Sequence, residues 1–201
     1  MNIRSYSLDR IMNVKGLAAL LIAFMLTPLI ITFHAVLQQR YSQSVIEDHI
    51  FSEKGYRITS QQQSVKLDFR IDSAYIPKKQ GDVFRLHKLI YSRNHTKIYL
   101  ETVAWYNPPQ NSDNIYVELK FDPTYLYGKG SFVTSAIINN DHSFGNVMFM
   151  PDYYADDGSV LPINDGGGRS EVFIPVEQLA ELDGGLTLKF EGFNLVKYER
   201  A

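Results

Sequence analysis

The sequence predicts a mostly β protein in which an N-terminal transmembrane helix precedes an antiparallel β-sandwich with one short helix. Two observations support this fold class: residues 16–33 carry no charge, and after Gly55 apolar residues recur at every second position. The loops between these alternating stretches are rich in Pro, Asn, Asp and Gly. With 201 residues, of which 45% are hydrophobic, the chain can form one packed domain with an additional segment.

The apolar segment is long enough to cross a bilayer. It begins at Gly16 and extends past His34 to Leu37. As a helix it measures about 33 Å, against about 30 Å for the hydrocarbon core. A cleaved signal peptide has an apolar region of about 7 to 15 residues and a small-x-small cleavage site, whereas Phe33 here is bulky. We therefore expect residues 16–37 to be an uncleaved transmembrane anchor rather than a signal peptide or a buried core helix.

The flanking charges predict the orientation of this anchor. Arg4, Arg10 and Lys15 precede the segment, and Arg40 is the one basic residue in the dozen residues that follow it. Positive charge stays in the cytoplasm, so residues 1–15 should form a cytoplasmic tail. The protein is then a single-pass cell-membrane protein whose C-terminal domain is extracytoplasmic.

Residues 38–54 are predicted to continue as a helical stalk. This stretch is polar but keeps four apolar residues at helical spacing, and Gly55 ends it. The four are Val45, Ile46, Ile50 and Phe51.

Residues 55–201 are predicted to form the sandwich. Val65–Ile71 and Ile115–Phe121 alternate strictly between apolar and polar residues, which is typical of half-buried antiparallel strands. One helix, "VEQLAEL", should begin near Pro175 and end at Gly184. The other predicted strands are "FRLHKLIYS", "KIYLETVAWY", "SFVTSAII", "NVMFM", "SVLPI", "EVFIPV" and "LTLKFEGFNLVKYE".

The stretch "MPDYYADDGSVLPINDGGGRS", residues 150–170, resembles a metal site in composition but not in spacing. An EF-hand loop that places Gly158 at position 6 would require oxygen ligands where Ala155 stands. Asp157-Gly158 is instead a hairpin turn signal. We expect loops whose four aspartates are all solvated, behave alike and bind no metal; these are Asp152, Asp156, Asp157 and Asp165.

The remaining chemistry of the sequence argues against an enzyme. The chain has no cysteine, its five histidines are scattered, and it contains neither a nucleophile elbow nor a P-loop. A formal net charge of −2 disfavours nucleic acid as a partner. No cofactor and no metal are predicted.

Aromatic residues are the candidates for a binding role. Tyr106, Tyr153 and Tyr154 fall in or beside predicted loops, where exposed rings could contact a protein partner or, alternatively, cell-wall polysaccharide. Trp105 is expected to face the core with Val103, which would turn Tyr106 outwards. The interpretation is a non-enzymatic binding, sensing or envelope-assembly module at the membrane.

Residues 64–199 resemble the immunoglobulin-like ectodomains of membrane-anchored anti-sigma-type proteins of Gram-positive bacteria. The resemblance rests on the order of "FRLHKLIYSRNHTKIYLETVAWY", "DDGSVLP" and "EVFIPVEQLAELDGGLTLKFEGF". Proteins of that family carry a sigma-binding domain before the membrane span, whereas a short tail precedes it here. The resemblance therefore implies an immunoglobulin-like fold and an envelope location, and does not extend to sigma-factor control.

The N-terminus is also similar to prepilin-like proteins. Lys15-Gly16 precedes a long apolar helix that leads into a β domain, as in that family, although Leu21 occupies the position of the family's glutamate. This resemblance implies a pilin-like subunit or minor pseudopilin processed after Gly16, with Leu17 as the mature N-terminus.

Overall fold

Antiparallel strands make up most of the chain that the structure describes. The structure is a computed structural model, and it describes residues 24–33, 43–52, 54–106, 113–139, 141, 143–146, 151–163, 170–179, 182 and 184–201. The chain divides into two compact units, Met1–Val45 and Ile46–Ala201.

The first unit contains helix α1, residues 24–33, which lies inside the predicted transmembrane segment. Its large apolar side chains are exposed, and Thr32 Oγ1 donates a hydrogen bond to the Pro28 carbonyl at 2.6 Å. Within the described residues, no helix is long and apolar enough to cross a membrane. The rest of the predicted span and the predicted tail, residues 1–15, lie outside the described residues.

After α1, the described residues form two further helices, a 3-10 turn and eleven strands. Helix α2 spans Gln43–Ser52, helix α3 spans Val176–Leu179, and the turn spans Ser73–Tyr75. The strands are β1 Tyr56–Ile71, β2 Val83–Arg93, β3 Thr96–Tyr106, β4 Asn114–Pro123, β5 Lys129–Thr134, β6 Ala136–Ile138, β7 Phe144–Asn146, β8 Asp152–Ala155, β9 Val160–Leu161, β10 Glu171–Pro175 and β11 Leu186–Arg200.

Two antiparallel sheets form a sandwich-like arrangement. In sheet A the order is β1-β11-β8-β9, and β5 pairs with the C-terminal half of β11. In sheet B the order is β10-β4-β3-β2, and β6 and β7 form a separate two-stranded ribbon. Because every pairing is antiparallel, the β2–β3 turn lies at one end of sheet B and the end of β3 at the other. The antiparallel β architecture expected from the alternating pattern is confirmed.

The main core fills the space between the sheets. In β4, Ile115, Val117 and Leu119 are buried, whereas the residues between them are less so. Val65, Leu67, Phe69 and Ile71 of β1 join the same cluster, together with residues of β3, β5, β8, β10 and β11. Alternation on two facing sheets therefore produces one apolar layer.

A second core lies on the outer face of sheet A, beneath α2. A register irregularity next to Gly192, whose φ is 102°, lets Phe193 enter the main core while Val196 and Tyr198 face the opposite side. Ile46 and Ile50 of α2 pack there with exposures of 3% and 0%. The described part of the predicted stalk is thus a helix that packs on the domain.

Helix α2 is also held by a polar contact. The Tyr125 hydroxyl donates a hydrogen bond to the Glu47 carboxylate, while burial raises the pKa of Glu47. Burial raises the pKa of Tyr125 as well. A half-buried carboxyl bonded to a phenol adds directional contact to the apolar packing.

Several strand boundaries differ from the sequence prediction. Strand β1 begins at Tyr56, nine residues before the alternating stretch. The predicted strand "SFVTSAII" is divided at the buried Ser135 into β5 and β6, and Thr134 Oγ1 accepts a hydrogen bond from the Ala136 amide there. Asp152–Ala155, predicted as a loop, is strand β8, because it pairs with the first residues of β11. Most of the predicted strand "NVMFM" lies outside the described residues.

Candidate functional site

The three tyrosines proposed as a binding platform are not together on the surface. Tyr153 has 2% of its surface exposed and lies in the main core. Tyr154, its neighbour on β8, is half-buried, and Lys189 Nζ lies 4.2 Å from the centre of its ring. The Tyr106 side chain lies outside the description, although its backbone ends β3. Tyr153 is therefore a core residue, because alternation on β8 turns it inwards.

The aspartates of the same stretch form the predicted turn but do not behave alike. Asp157 Oδ1 accepts a hydrogen bond from the Ser159 amide at 2.9 Å, and Gly158 has a φ of 83°. The hairpin turn is confirmed. Asp156 instead accepts bonds at 2.8 Å from Arg70 Nε and Nη2 and from the Gly185 amide.

This pairing makes Asp156 a structural residue. The Arg70 hydrogen bonds, followed by that from the Gly185 amide, lower the pKa of its carboxyl to about 2. Both oxygens are occupied, and the carboxyl stays ionised at neutral pH, so it is poorly suited to proton transfer. Among the residues that the structure describes, no group of three or more His, Cys, Asp or Glu is placed to hold a metal ion. The Asp165 side chain lies outside the described residues.

An apolar pocket of about 250 Å³ lies at the end of the sandwich where β3 ends and β4 begins. Trp105 of β3 and Ile115 of β4 form its floor, and the other lining residues come from the segment after the 3-10 turn and from α3. We call it the Trp105 pocket; the remaining lining residues are Ile76, Pro77, Lys78, Val176 and Leu179.

Hydrogen bonds fix one wall of the Trp105 pocket. The Trp105 amide donates to the Asp82 carbonyl at 2.9 Å, which ties β3 to the loop before β2. The Asp82 carboxylate accepts bonds from the amides of Lys78 and Lys79, each at 3.1 Å. The Asp82 side chain therefore holds the segment that contains Pro77 and Lys78 against β3.

The polar chemistry of the pocket is sparse. Trp105 packs against the main core, as expected, and its buried indole Nε1 has no hydrogen-bond partner among the residues that the structure describes. A buried N–H group without an acceptor costs about 1 to 3 kcal/mol. An occupant that supplied an acceptor oxygen, with a small readjustment of the lining, would recover part of that cost. The pocket can thus receive an apolar group that carries one acceptor.

A second local feature is an aromatic and acidic contact on the outer face of sheet B. His87 stands at a register irregularity of β2 with a φ of 44°, although it is not glycine. Its Nδ1 lies 2.7 Å from Glu101 Oε2, and its ring stacks on Tyr99 at a centroid distance of 4.3 Å. The Glu101 contact and the Tyr99 stacking orient an imidazole that is largely exposed.

Sequence reasoning found Trp105 but not its surroundings. The period-two pattern assigns Trp105 to the inner face, but neither that pattern nor the helix predicted near Pro175 indicates that Ile76 and Val176 meet Trp105. The His87 contact was also missed, because a strand irregularity adds a residue without leaving a sequence signal.

Comparison with family models, curated proteins and solved structures gives no significant match to the chain. Site assignment therefore rests on geometry.

Proposed function

We propose that the chain is a single-pass, membrane-anchored extracytoplasmic protein whose immunoglobulin-like β-sandwich binds a protein partner without catalysis. The Trp105 pocket is the observation that carries this proposal. It combines a fixed wall, an apolar lining and a buried donor, Trp105 Nε1, to which no described residue supplies an acceptor; binding pockets have such an apolar lining with few polar groups.

The size and lining of the pocket favour one inserted side chain of a protein. Pockets for drug-sized ligands usually measure about 300 to 1,000 Å³, and this one is smaller. A sugar ring would require several hydrogen-bonding groups, whereas the lining is mainly aliphatic. An apolar side chain with its neighbouring backbone carbonyl offers both the shape and the acceptor that suit Trp105 Nε1.

The anchor rests on the sequence. Residues 16–33 are uncharged, and the basic residues Arg4, Arg10 and Lys15 precede them. These features support insertion with the tail in the cytoplasm and the sandwich outside.

A photo-crosslinking experiment tests the pocket in cells that produce the full chain. p-Benzoylphenylalanine replaces Lys78, which is exposed at the rim, and irradiation should give a discrete crosslinked product. Val176→Phe fills the pocket and should abolish that product. Val160→Phe, at a position 65% exposed on β9, is the matched control and should retain it. A product that persists after the pocket is filled, or no product at all, would contradict the proposal.

A pilin-like subunit is the second candidate. The observation in its favour is that a helix following the apolar segment packs against the antiparallel sheet through Ile46 and Ile50. Processing after Gly16 would leave Leu17 as the mature N-terminus, whereas an uncleaved anchor retains residues 1–15. N-terminal sequencing of the membrane-extracted protein separates the two candidates.

A further inference from the structure

A groove of about 440 Å³ lies at the end of the sandwich opposite the Trp105 pocket. The β2–β3 turn forms one side through His95, and the paired strands β5 and β11 form the other side through Lys129 and Lys197. Ser131 lies directly across from Lys197 in the strand register. We call this feature the Lys129–Lys197 groove.

The groove has an excess of positive charge. Its one lining carboxylate, Glu199, accepts a hydrogen bond from Arg57 Nε at 2.9 Å and is paired with that guanidinium. Among the described residues, Lys129 and Lys197 have no carboxylate partner. Lys129 also lies across from Glu199 in the strand register, so this carboxylate offsets one of three neighbouring cations and leaves net positive charge beside the hydroxyl of Ser131. This combination suits an anion that can accept both charge and hydrogen bonds.

Backbone contacts hold both sides of the groove in place. The Tyr198 hydroxyl accepts a hydrogen bond from the Leu126 amide and donates one to the Leu126 carbonyl at 2.9 Å. Gly130 packs against that ring so closely that a Cβ atom there would lie 2.5 Å from Tyr198 Oη. On the other side, the His95 carbonyl accepts a hydrogen bond from the Thr124 amide at 2.6 Å. A binding site of this kind requires little rearrangement.

The same end of the sandwich is basic as a whole, and the opposite end is acidic. The described strand ends and turns beside the groove carry Lys54, Arg57, Arg93, Lys97, Lys129, Lys197 and Arg200 against Asp122 and Glu199, while Glu47 and Asp48 of α2 lie behind sheet A. The opposite end carries Asp72, Asp82, Asp113, Asp156, Asp157 and Glu177 against Arg70, Lys78, Lys79 and Arg85. An anionic surface would therefore attract the groove end and repel the other.

We propose that the Lys129–Lys197 groove binds a phosphate group, and that the source of this phosphate is the headgroup of an anionic phospholipid. The choice of source rests on the proposed membrane anchor. A membrane-anchored domain meets lipid headgroups, and Lys and Arg side chains are attracted to those that are anionic.

The first arm of the test measures anion binding by the full chain in uncharged dodecyl maltoside micelles. Inorganic phosphate is titrated at constant ionic strength, and the amide resonances of residues 129–131 are followed by NMR. We expect saturable shifts that are lost in the Lys129→Ala/Lys197→Ala variant. The matched control, Lys78→Ala/Lys79→Ala at the opposite end, should retain them. Absence of shifts, or their persistence in the groove variant, would overturn the proposal.

The second arm identifies the source of the phosphate. The full chain is placed in nanodiscs of phosphatidylcholine alone or with phosphatidylglycerol, without free phosphate. The same resonances should shift in the phosphatidylglycerol discs, and the shift should decrease at high salt. Shifts with inorganic phosphate but identical spectra in the two discs would overturn the lipid assignment. A chain that does not remain in either disc would refute the anchor, while the micelle arm still decides whether the groove binds phosphate.

Discussion

Replacement of Ile50 by alanine tests whether α2 belongs to the sandwich. Ile50 has 0% of its surface exposed and packs with Phe132, Val196 and Tyr198 on the outer face of sheet A. Truncation of a fully buried isoleucine to alanine lowers the free energy of unfolding by about 2 to 5 kcal/mol, since it removes buried methyl groups and leaves a cavity.

The loss is large enough to measure by thermal melting. For a unit of this size, Ile46–Ala201, each kcal/mol changes the melting temperature by about 2 to 4 °C, so we expect a decrease of about 4 to 20 °C. The assay is far-UV circular dichroism of the full chain in detergent, followed at the β-sheet signal. Asp48→Ala, at an exposed position of the same helix, is the control and should change the free energy by at most about 0.5 kcal/mol.

A stalk helix that did not pack on the sandwich would give a different result. Alanine is a better helix former than isoleucine, so the substitution would slightly stabilise an isolated helix and leave the melting of the sheets unchanged. An Ile50→Ala protein that melts like the wild type would refute the packing of α2 on the domain.

Three further predictions concern polar and backbone features. The pKa of Asp156 in the folded protein is about 2, below its usual 3.8, so the unfolded chain takes up the proton first as the pH falls. The wild type should therefore lose stability between about pH 4 and pH 2. Thermal melts at a series of pH values should show that Asp156→Asn loses less stability over this range. The same dependence of stability on pH in the wild type and in Asp156→Asn would contradict the pairing with Arg70. Tyr198→Phe leaves the amide and the carbonyl of Leu126 without their hydrogen-bond partner, so urea unfolding should show that the free energy of unfolding decreases by about 1 to 3 kcal/mol. An unchanged free energy of unfolding would argue against these bonds. His87→Ala should be less stable than His87→Gly by about 1 kcal/mol, because only glycine adopts a φ of 44° without strain, and the reverse order would exclude that backbone conformation.

The sheets could be predicted because burial on one face leaves a period-two pattern. Val65–Ile71 and Ile115–Phe121 alternate in the sequence and are strands in the structure. The first half of β1, from Tyr56 to Ser64, could not be predicted in this way. That stretch is mostly polar, and its extended structure comes from pairing with β11, whose residues are more than a hundred positions away.

The candidate sites were less predictable, because distant segments build them. The helical spacing of Ile46 and Ile50 indicates an apolar helix face. It does not indicate that this face packs on strands β5 and β11. Likewise, the pattern places Trp105 inwards without revealing that Pro77 and Val176 complete a pocket around it. The charge of the Lys129–Lys197 groove is equally hidden, since the overall net charge is only −2.

The topology of the chain is the most direct test of the proposed function. Protease is added to intact spheroplasts that produce the full chain with an epitope tag at the C-terminus, and the tagged domain is followed by immunoblotting. The anchored, extracytoplasmic sandwich predicts that the tag is lost from intact spheroplasts while a cytoplasmic control protein survives. Protection of the tagged domain until the membrane is permeabilised would contradict the account.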